Sequence, residues 1–109
     1  MAKTRIPKAL EKKIKEYVKI LKKDNLPINK VILFGSYAKG SQHKWSDVDL
    51  CIVSPKFDNP LEATDYLWQK TIFNMKYTIE PIGFSPKDFR ESSSLINEIK
   101  KTGIVIYKK

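Results

Sequence analysis

Apolar residues at Ile6, Leu10, Ile14, Tyr17, Val18 and Leu21 recur every three or four positions, the spacing of one helical face. Pro7 suits an early position of that helix, and Asp24-Asn25 with Pro27 ends it. The period then changes. Lys30–Phe34 (KVILF) is short, β-branched and closed by Gly35, which predicts a buried strand. Ser36–Gly40 predicts a brief helix, followed by the polar loop SQHKWS. A second strand runs through Asp47–Val53 and ends at Ser54-Pro55. Pro60 to about Asn74 reads as a helix whose apolar side is Leu61, Tyr66, Leu67, Trp68, Ile72 and Phe73. Tyr77–Ile82 makes a third strand, and Pro81, which cannot donate to a ladder, puts it at or near a sheet edge. Ser85-Pro86 is an N-cap and first-turn pair for one helix running to about Lys101. Gly103 breaks that helix, and Ile104–Tyr107 forms a last short strand. The order α-β-α-β-α-β-α-β predicts an α/β (α+β) fold, a small mixed sheet of about four strands with helices packed against it.

The length of 109 residues suits a single domain over residues 1–109, and neither an internal repeat nor a linker interrupts it. A chain of this size buries roughly two-thirds of its unfolded surface, enough for a core without disulfide or metal staples. The single Cys51 can close no intrachain bridge, which agrees with a reducing interior. No apolar run approaches the roughly 20 residues needed to cross a bilayer. The first residues lack the apolar stretch of a secretory signal. A cytoplasmic location without a membrane partner is the resulting expectation.

Charge changes the picture more. Lys and Arg number 21 against 12 Asp and Glu, a net charge of +9, and Arg5 and Arg90 are the only arginines. Bidentate reading of bases favours Arg, so a Lys-dominated surface argues against sequence-specific nucleic-acid recognition. Lys12, Lys15, Lys19 and Lys22 sit at dispersed helical positions that suit a solvated basic face. Either way the positive field concentrates polyanions, nucleoside triphosphates among them.

Three features carry candidate chemistry. Gly35 follows a strand and precedes a helical turn, where backbone can approach a ligand closely and free N–H groups would face an anion; Ser36 adds a hydroxyl. Taken alone, this is also what an ordinary strand-ending turn looks like. Asp47 and Asp49 are two apart, so on a strand both carboxylates project from one face while Val48 and Leu50 point to the other. Like charges that close repel, and either a proton or a cation must relieve them unless both acids are simply solvated at a loop edge. Magnesium takes oxygen ligands and is usually held by one or two carboxylates plus substrate phosphates. A two-ion site wants a third acid from a neighbouring strand. Glu80, in the middle of YTIEPI, is the best-placed candidate, whereas Asp88 is better explained as a first-turn acid of the following helix.

Gly35-Ser36-Tyr37-Ala38-Lys39-Gly40 followed by Ser46-Asp47-Val48-Asp49-Leu50 matches the G-S-x-A-x-G and S-D-x-D-[LI] motif of the DNA-polymerase-beta-like nucleotidyltransferase superfamily. The chain resembles its smallest branch, the minimal nucleotidyltransferases (MNT), often the antitoxin halves of HEPN/MNT toxin–antitoxin pairs. The resemblance runs from KVILFGS to the closing GIVIY. It implies that Gly35 and Ser36 hold the β- and γ-phosphates of ATP. It also implies that Asp47 and Asp49 bind two Mg²⁺ ions, with Asp49 bridging both. Glu80 matches the third family carboxylate, which binds the catalytic ion and assists deprotonation of the acceptor hydroxyl; the family often has Asp there, so Glu reaches one methylene further. The implied reaction is transfer of AMP from ATP to a tyrosine of a partner HEPN toxin, silencing its RNase activity.

Nothing remains of so short a chain for a dedicated acceptor-gripping domain once the core is built, so the acceptor must be gripped by this small surface, by a second copy, as in a homo-oligomer, or by a partner protein. The alternative is a non-catalytic antitoxin that blocks a HEPN toxin by contact alone; the complete Gly35-Ser36, Asp47, Asp49 set favours catalysis. A third reading, an RNA- or DNA-binding protein, rests only on charge and lacks an aromatic–basic recognition motif. Lys39 and Lys44 flank the phosphate turn and suit either triphosphate neutralisation or plain surface. His43 suits an exposed loop, and Ser46 a turn rather than a nucleophile. Tyr37 is expected in the core, and Cys51 as an inert buried thiol. Trp45 and Trp68 are candidate partner contacts.

Overall fold

The structure, a computed structural model, describes residues 6–41, 47–71, 77–91 and 93–109. His43, Lys44, Trp45, Ser46, Ile72 and Phe73 lie outside the described residues. Helix α1 spans Lys8–Lys23, with Pro7 in extended backbone just ahead of it. Its stripe of Leu10, Ile14, Tyr17, Val18 and Leu21 is buried, and each fully buried Leu or Ile side chain contributes about 1.5–3 kcal/mol. The helix ends in a Schellman motif. Asn25 takes a positive φ of 62°, Leu26 N–H donates to the Leu21 carbonyl and Asn25 N–H to that of Lys22.

Strand β1 is Lys30–Phe34, helix α2 Ser36–Lys39, strand β2 Val48–Val53 and helix α3 Pro60–Gln69. Strand β3 is Ile79–Phe84, followed by helices α4 (Pro86–Arg90) and α5 (Ser94–Thr102) and strand β4 (Ile104–Lys108). The sheet order is β3-β2-β1-β4. β1 runs antiparallel to both β2 and β4, and β2 runs parallel to β3 with α3 as the crossover. The α+β mixed sheet therefore matches the expectation, including an edge position for the strand that carries Pro81.

Alternation sorts the strands into two faces. Val31, Leu33, Val48, Leu50 and Ile52 pack beneath α1 and α3 in the larger core. Ile32, Cys51, Val53 and Phe84 pack beneath Phe89 of α4 and Ile96 and Ile99 of α5. Two hydrogen bonds tie α1 to α3. The buried Tyr17 hydroxyl donates to the Leu67 carbonyl at 2.7 Å, and Tyr66 donates to Asp24, which also pairs with Lys70 at 3.6 Å.

Four expectations need correction, the first being the helix expected to run from Pro60 to about Asn74, which ends at Gln69. The single helix expected from Ser85 to Lys101 is two. Glu91 is extended, and Ser93 starts a second helix by accepting from Ile96 N–H at 3.1 Å, as Ser85 does for Asp88 N–H at 3.0 Å. Serine hydroxyls offer the backbone this local alternative, so a serine-rich stretch favours re-capping over continuation. The third strand begins at Ile79 rather than Tyr77. Leu61 and Trp68 do not belong to the buried side of α3; they are 82% and 44% exposed, while Ala63 and Leu67 face the sheet. Gly83 on β3 lets that helix sit close, since a Cβ there would meet Ala63 at 2.9 Å and Leu67 and Phe57 at 3.0 Å. Among the described residues no helix is long and apolar enough to cross a membrane.

Candidate active site

The acids lie where the second sheet face runs out of helical cover. Phe34 of β1 pairs with Asp49 of β2, and Asp49 pairs with Glu80 of β3, so the three side chains form one row across the sheet. One alternation further in, Ile32, Cys51 and Ile82 belong to the core beneath α4 and α5. The polar row continues that same face beyond the core. Asp47 immediately precedes β2 and is exposed; Val48 and Leu50, the residues between and beyond the acids, are fully buried on the opposite face.

Gly35 closes β1 with φ 75° and ψ −154°. That region is essentially reserved for glycine. A Cβ there would stand 2.1 Å from Asp49 Oδ2 and 3.0 Å from Asp49 Cγ. The bend is thus pressed directly onto a carboxylate. Ala38 and Lys39 N–H groups both donate to the Gly35 carbonyl at 3.1 Å, which closes the short α2 turn. The amides of Ser36 and Tyr37 lie ahead of those bonds, in the positions a helix cannot satisfy internally. Tyr37 is buried and packs edge-on against Tyr77, ring centroids 6.3 Å apart. Lys39 reaches α5, where it pairs with Glu98 at 3.1 Å. Glu98 has no local signal in the sequence, being 59 residues from its partner.

The electrostatics follow from crowding. Glu80 hydrogen-bonds to Asp47, and that bond, partial burial and the charges of Asp47 and Asp49 push its carboxyl up to about 7. Burial and then the charge of Asp47 hold Asp49 above the usual carboxylate range. Two carboxylates can bond to each other only by sharing a proton, so a proton partly neutralises the row. Among the described residues no three His, Cys, Asp or Glu side chains are already drawn into a metal cage; Glu80 leans on Asp47, with Asp49 beside them. The donor set is nevertheless all oxygen, crowded, and set against a bend with no room for a side chain. That chemistry fits a hard divalent cation completed by a ligand's phosphate oxygens. Burial pushes the Cys51 thiol up to about 12, which leaves it inert. Asp88 stays in the first turn of α4, away from the row.

A family model for the nucleotidyltransferase domain matches residues 14–106, which holds the bend, the acids, strands β1 to β3 and the first three residues of β4. The chain belongs to the nucleotidyltransferase domain family. A Methanocaldococcus jannaschii relative named "Putative protein adenylyltransferase" is 30% identical over 97 residues, covering 87% of this chain and 93% of its own. A second protein of that name from the same organism is 54% identical over 44 residues, or 39% of this chain and 44% of its own. Among solved structures, a "putative nucleotidyltransferase" from Sulfolobus solfataricus superposes with a TM-score of 0.65 at 20% identity, covering 91% of this chain and 80% of that one. A toxin–antitoxin crystal structure with AMP-PNP gives a TM-score of 0.61 at 26% identity, covering 91% and 73%. The complex of a tri-AMPylated Shewanella oneidensis HEPN toxin with its MNT antitoxin gives 0.51 at 19%, covering 89% and 71%. The nucleotidyltransferase fold is shared across all three.

Proposed function

We propose that this nucleotidyltransferase is a Mg²⁺-dependent protein adenylyltransferase that moves AMP from ATP to a tyrosine hydroxyl of a partner HEPN toxin, acting as its antitoxin. The observation that carries the reading is the row formed by Asp49 and Glu80 against the Gly35 bend. A row of crowded carboxylates beside a side-chain-free turn is what a metal-bound triphosphate requires and what a plain strand end does not. The names of the M. jannaschii relatives support protein as acceptor. The AMP-PNP complex and the AMPylated toxin complex support ATP as donor and a HEPN protein as target.

In this reading Gly35 and Ser36 receive the β- and γ-phosphates, and Asp47, Asp49 and Glu80 hold the cations. Bound Mg²⁺ would supply charge neutralisation of the triphosphate and of the developing pyrophosphate. The acceptor oxygen attacks the α-phosphorus, the bond from that phosphorus to the α,β-bridging oxygen breaks, and pyrophosphate leaves with the electron pair. Glu80, the third carboxylate of the row, takes the hydroxyl proton. Incubation with Mg²⁺, α-labelled ATP and the product of the adjacent gene tests this. Label on the partner's tyrosine, lost in Asp47→Ala and Asp49→Ala, is the expected outcome. Inhibition of the partner that persists in both variants without label transfer would instead establish a contact-only antitoxin.

A further inference from the structure

The larger face of the sheet ends in a groove that the proposed chemistry does not use. Val18 of α1 and Ile106 and Tyr107 of β4 form its floor, Lys15, Lys19 and Lys22 rim it, and its volume is about 280 Å³. Lys22 Nζ lies 4.0 Å above the Tyr107 ring, and Lys15 pairs with Glu11 at 3.2 Å. Lys19 has no acidic partner among the described residues. Beside the groove, β4 is the edge strand opposite β3, irregular where it passes Val31 and Ile32, with Val105 53% exposed. An edge strand leaves half of its backbone N–H and C=O groups without a neighbouring strand.

We propose that this groove is a docking site for an acidic, extended segment of the acceptor protein, which adds to the sheet along β4. The proposal rests on the reading that the acceptor is a protein. A strand edge offers an alternating row of donors and acceptors that only another polypeptide backbone matches. The lysine rim selects acidic side chains on the α1 face of that polypeptide, and its alternate, apolar side chains fall on the opposite sheet face beside the exposed Val105. A second copy of this chain is a poor occupant, because pairing β4 with β4 brings Lys108 and the lysine rim of each copy together in a protein of net charge +9. Nucleic acid would leave the strand edge unpaired.

Position gives the groove its role. Tyr107 pairs with Val31, whereas the acids align with Phe34 at the other end of β1, about 10 Å along the strand. Acceptor grip and phosphoryl chemistry are thereby placed at different positions along the sheet.

The test uses the full chain and a capped ten-residue peptide alternating Glu with Val and Ile, followed by two-dimensional amide NMR. Perturbations confined to residues 15–22 and 104–108 are expected, with affinity reduced at least about 10-fold in Lys19→Glu/Lys22→Glu, and none with the Lys-for-Glu peptide. Perturbation elsewhere, or equal binding of the basic peptide, overturns the proposal. So does displacement of the acidic peptide by an RNA oligonucleotide, or a dimer by sedimentation that the charge-reversal variant abolishes. Mg²⁺–ATP binding, followed at Gly35, Ser36 and Asp49, should be equal in wild type and variant. Its absence from both would defeat the adenylyltransferase reading while leaving the groove result to stand or fall by itself. With the acceptor in hand, the variant should raise its KM about 10-fold or more at unchanged kcat.

Discussion

A β-carbon on Gly35 would stand 2.1 Å from Asp49 Oδ2, so the bend that ends β1 and the carboxylate of β2 occupy space that only glycine leaves free. The contact joins the two halves of the sequence motif, separated by more than ten residues, into one surface. Gly35 also holds a backbone conformation that other residues reach only at a cost of about 1–3 kcal/mol.

Gly35→Ala should therefore lose more than that conformational cost in stability, because the new methyl also displaces Asp49. Nucleotide affinity should fall with it. Calorimetric titration with Mg²⁺ and a non-hydrolysable ATP analogue, beside a thermal melt, checks both. Tight binding retained by a folded variant would show that the bend has no part in the site.

Asp49→Asn should act in opposite directions on stability and function. Asp49 is held above the usual carboxylate range by burial and by Asp47, so a neutral isostere relieves that penalty and raises the melting temperature of the metal-free protein. Label transfer should fall by about 10²–10³ or more, the scale on which removal of one charge-stabilising group acts. Asp49→Ala should likewise remain folded.

Loss of the Glu80 proton should make the metal-free protein less stable as pH rises. Its ordinary value is 4.5, and the native row pushes it up to about 7. A raised acid contributes stability fully below the unfolded value and loses it between the two. Melting temperature should decline from about pH 4.5 to about 7 on this account, and Glu80→Gln should flatten the decline. An unchanged profile in Glu80→Gln would place the origin of the decline elsewhere.

Added Mg²⁺ should reverse part of that loss at pH 7, since an ion that binds the native row and not the unfolded chain stabilises by mass action. Chelation with EDTA should abolish label transfer and restore the metal-free melting temperature. Na⁺ at equal ionic strength should do neither.

Tyr17→Phe separates architecture from chemistry. The buried hydroxyl donates to the Leu67 carbonyl at 2.7 Å; that carbonyl keeps its bond from Lys70 N–H at 3.1 Å, so the hydroxyl's removal costs one hydrogen bond, about 0.5–1.5 kcal/mol. Chemical denaturation should register the loss while label transfer below the melting range stays at the wild-type rate.

Much of this protein was legible in the order of its residues, because local physics writes local patterns. The stripe of α1 and the opposition of Asp47 and Asp49 to Val48 and Leu50 follow from periods of 3.6 and 2, and the end of β1 at Gly35 and the edge position of the Pro81 strand from what those two backbones allow. The Gly35-Ser36 bend with two spaced acids is likewise written within fifteen residues of chain. Where the reading failed, competing local options were close in energy. Serine side chains could continue a helix or restart one, and they restart it at Ser93. An apolar residue on a helix can face core or solvent, and which way Leu61 and Trp68 turned depended on how closely Gly83 let α3 approach. Only the tertiary structure could put Glu80 opposite Asp49, Glu98 on Lys39 and a lysine-rimmed groove beside β4. Each of those pairings depends on strand register or on contacts between distant elements, set by burial of both sheet faces at once rather than by any neighbouring residue.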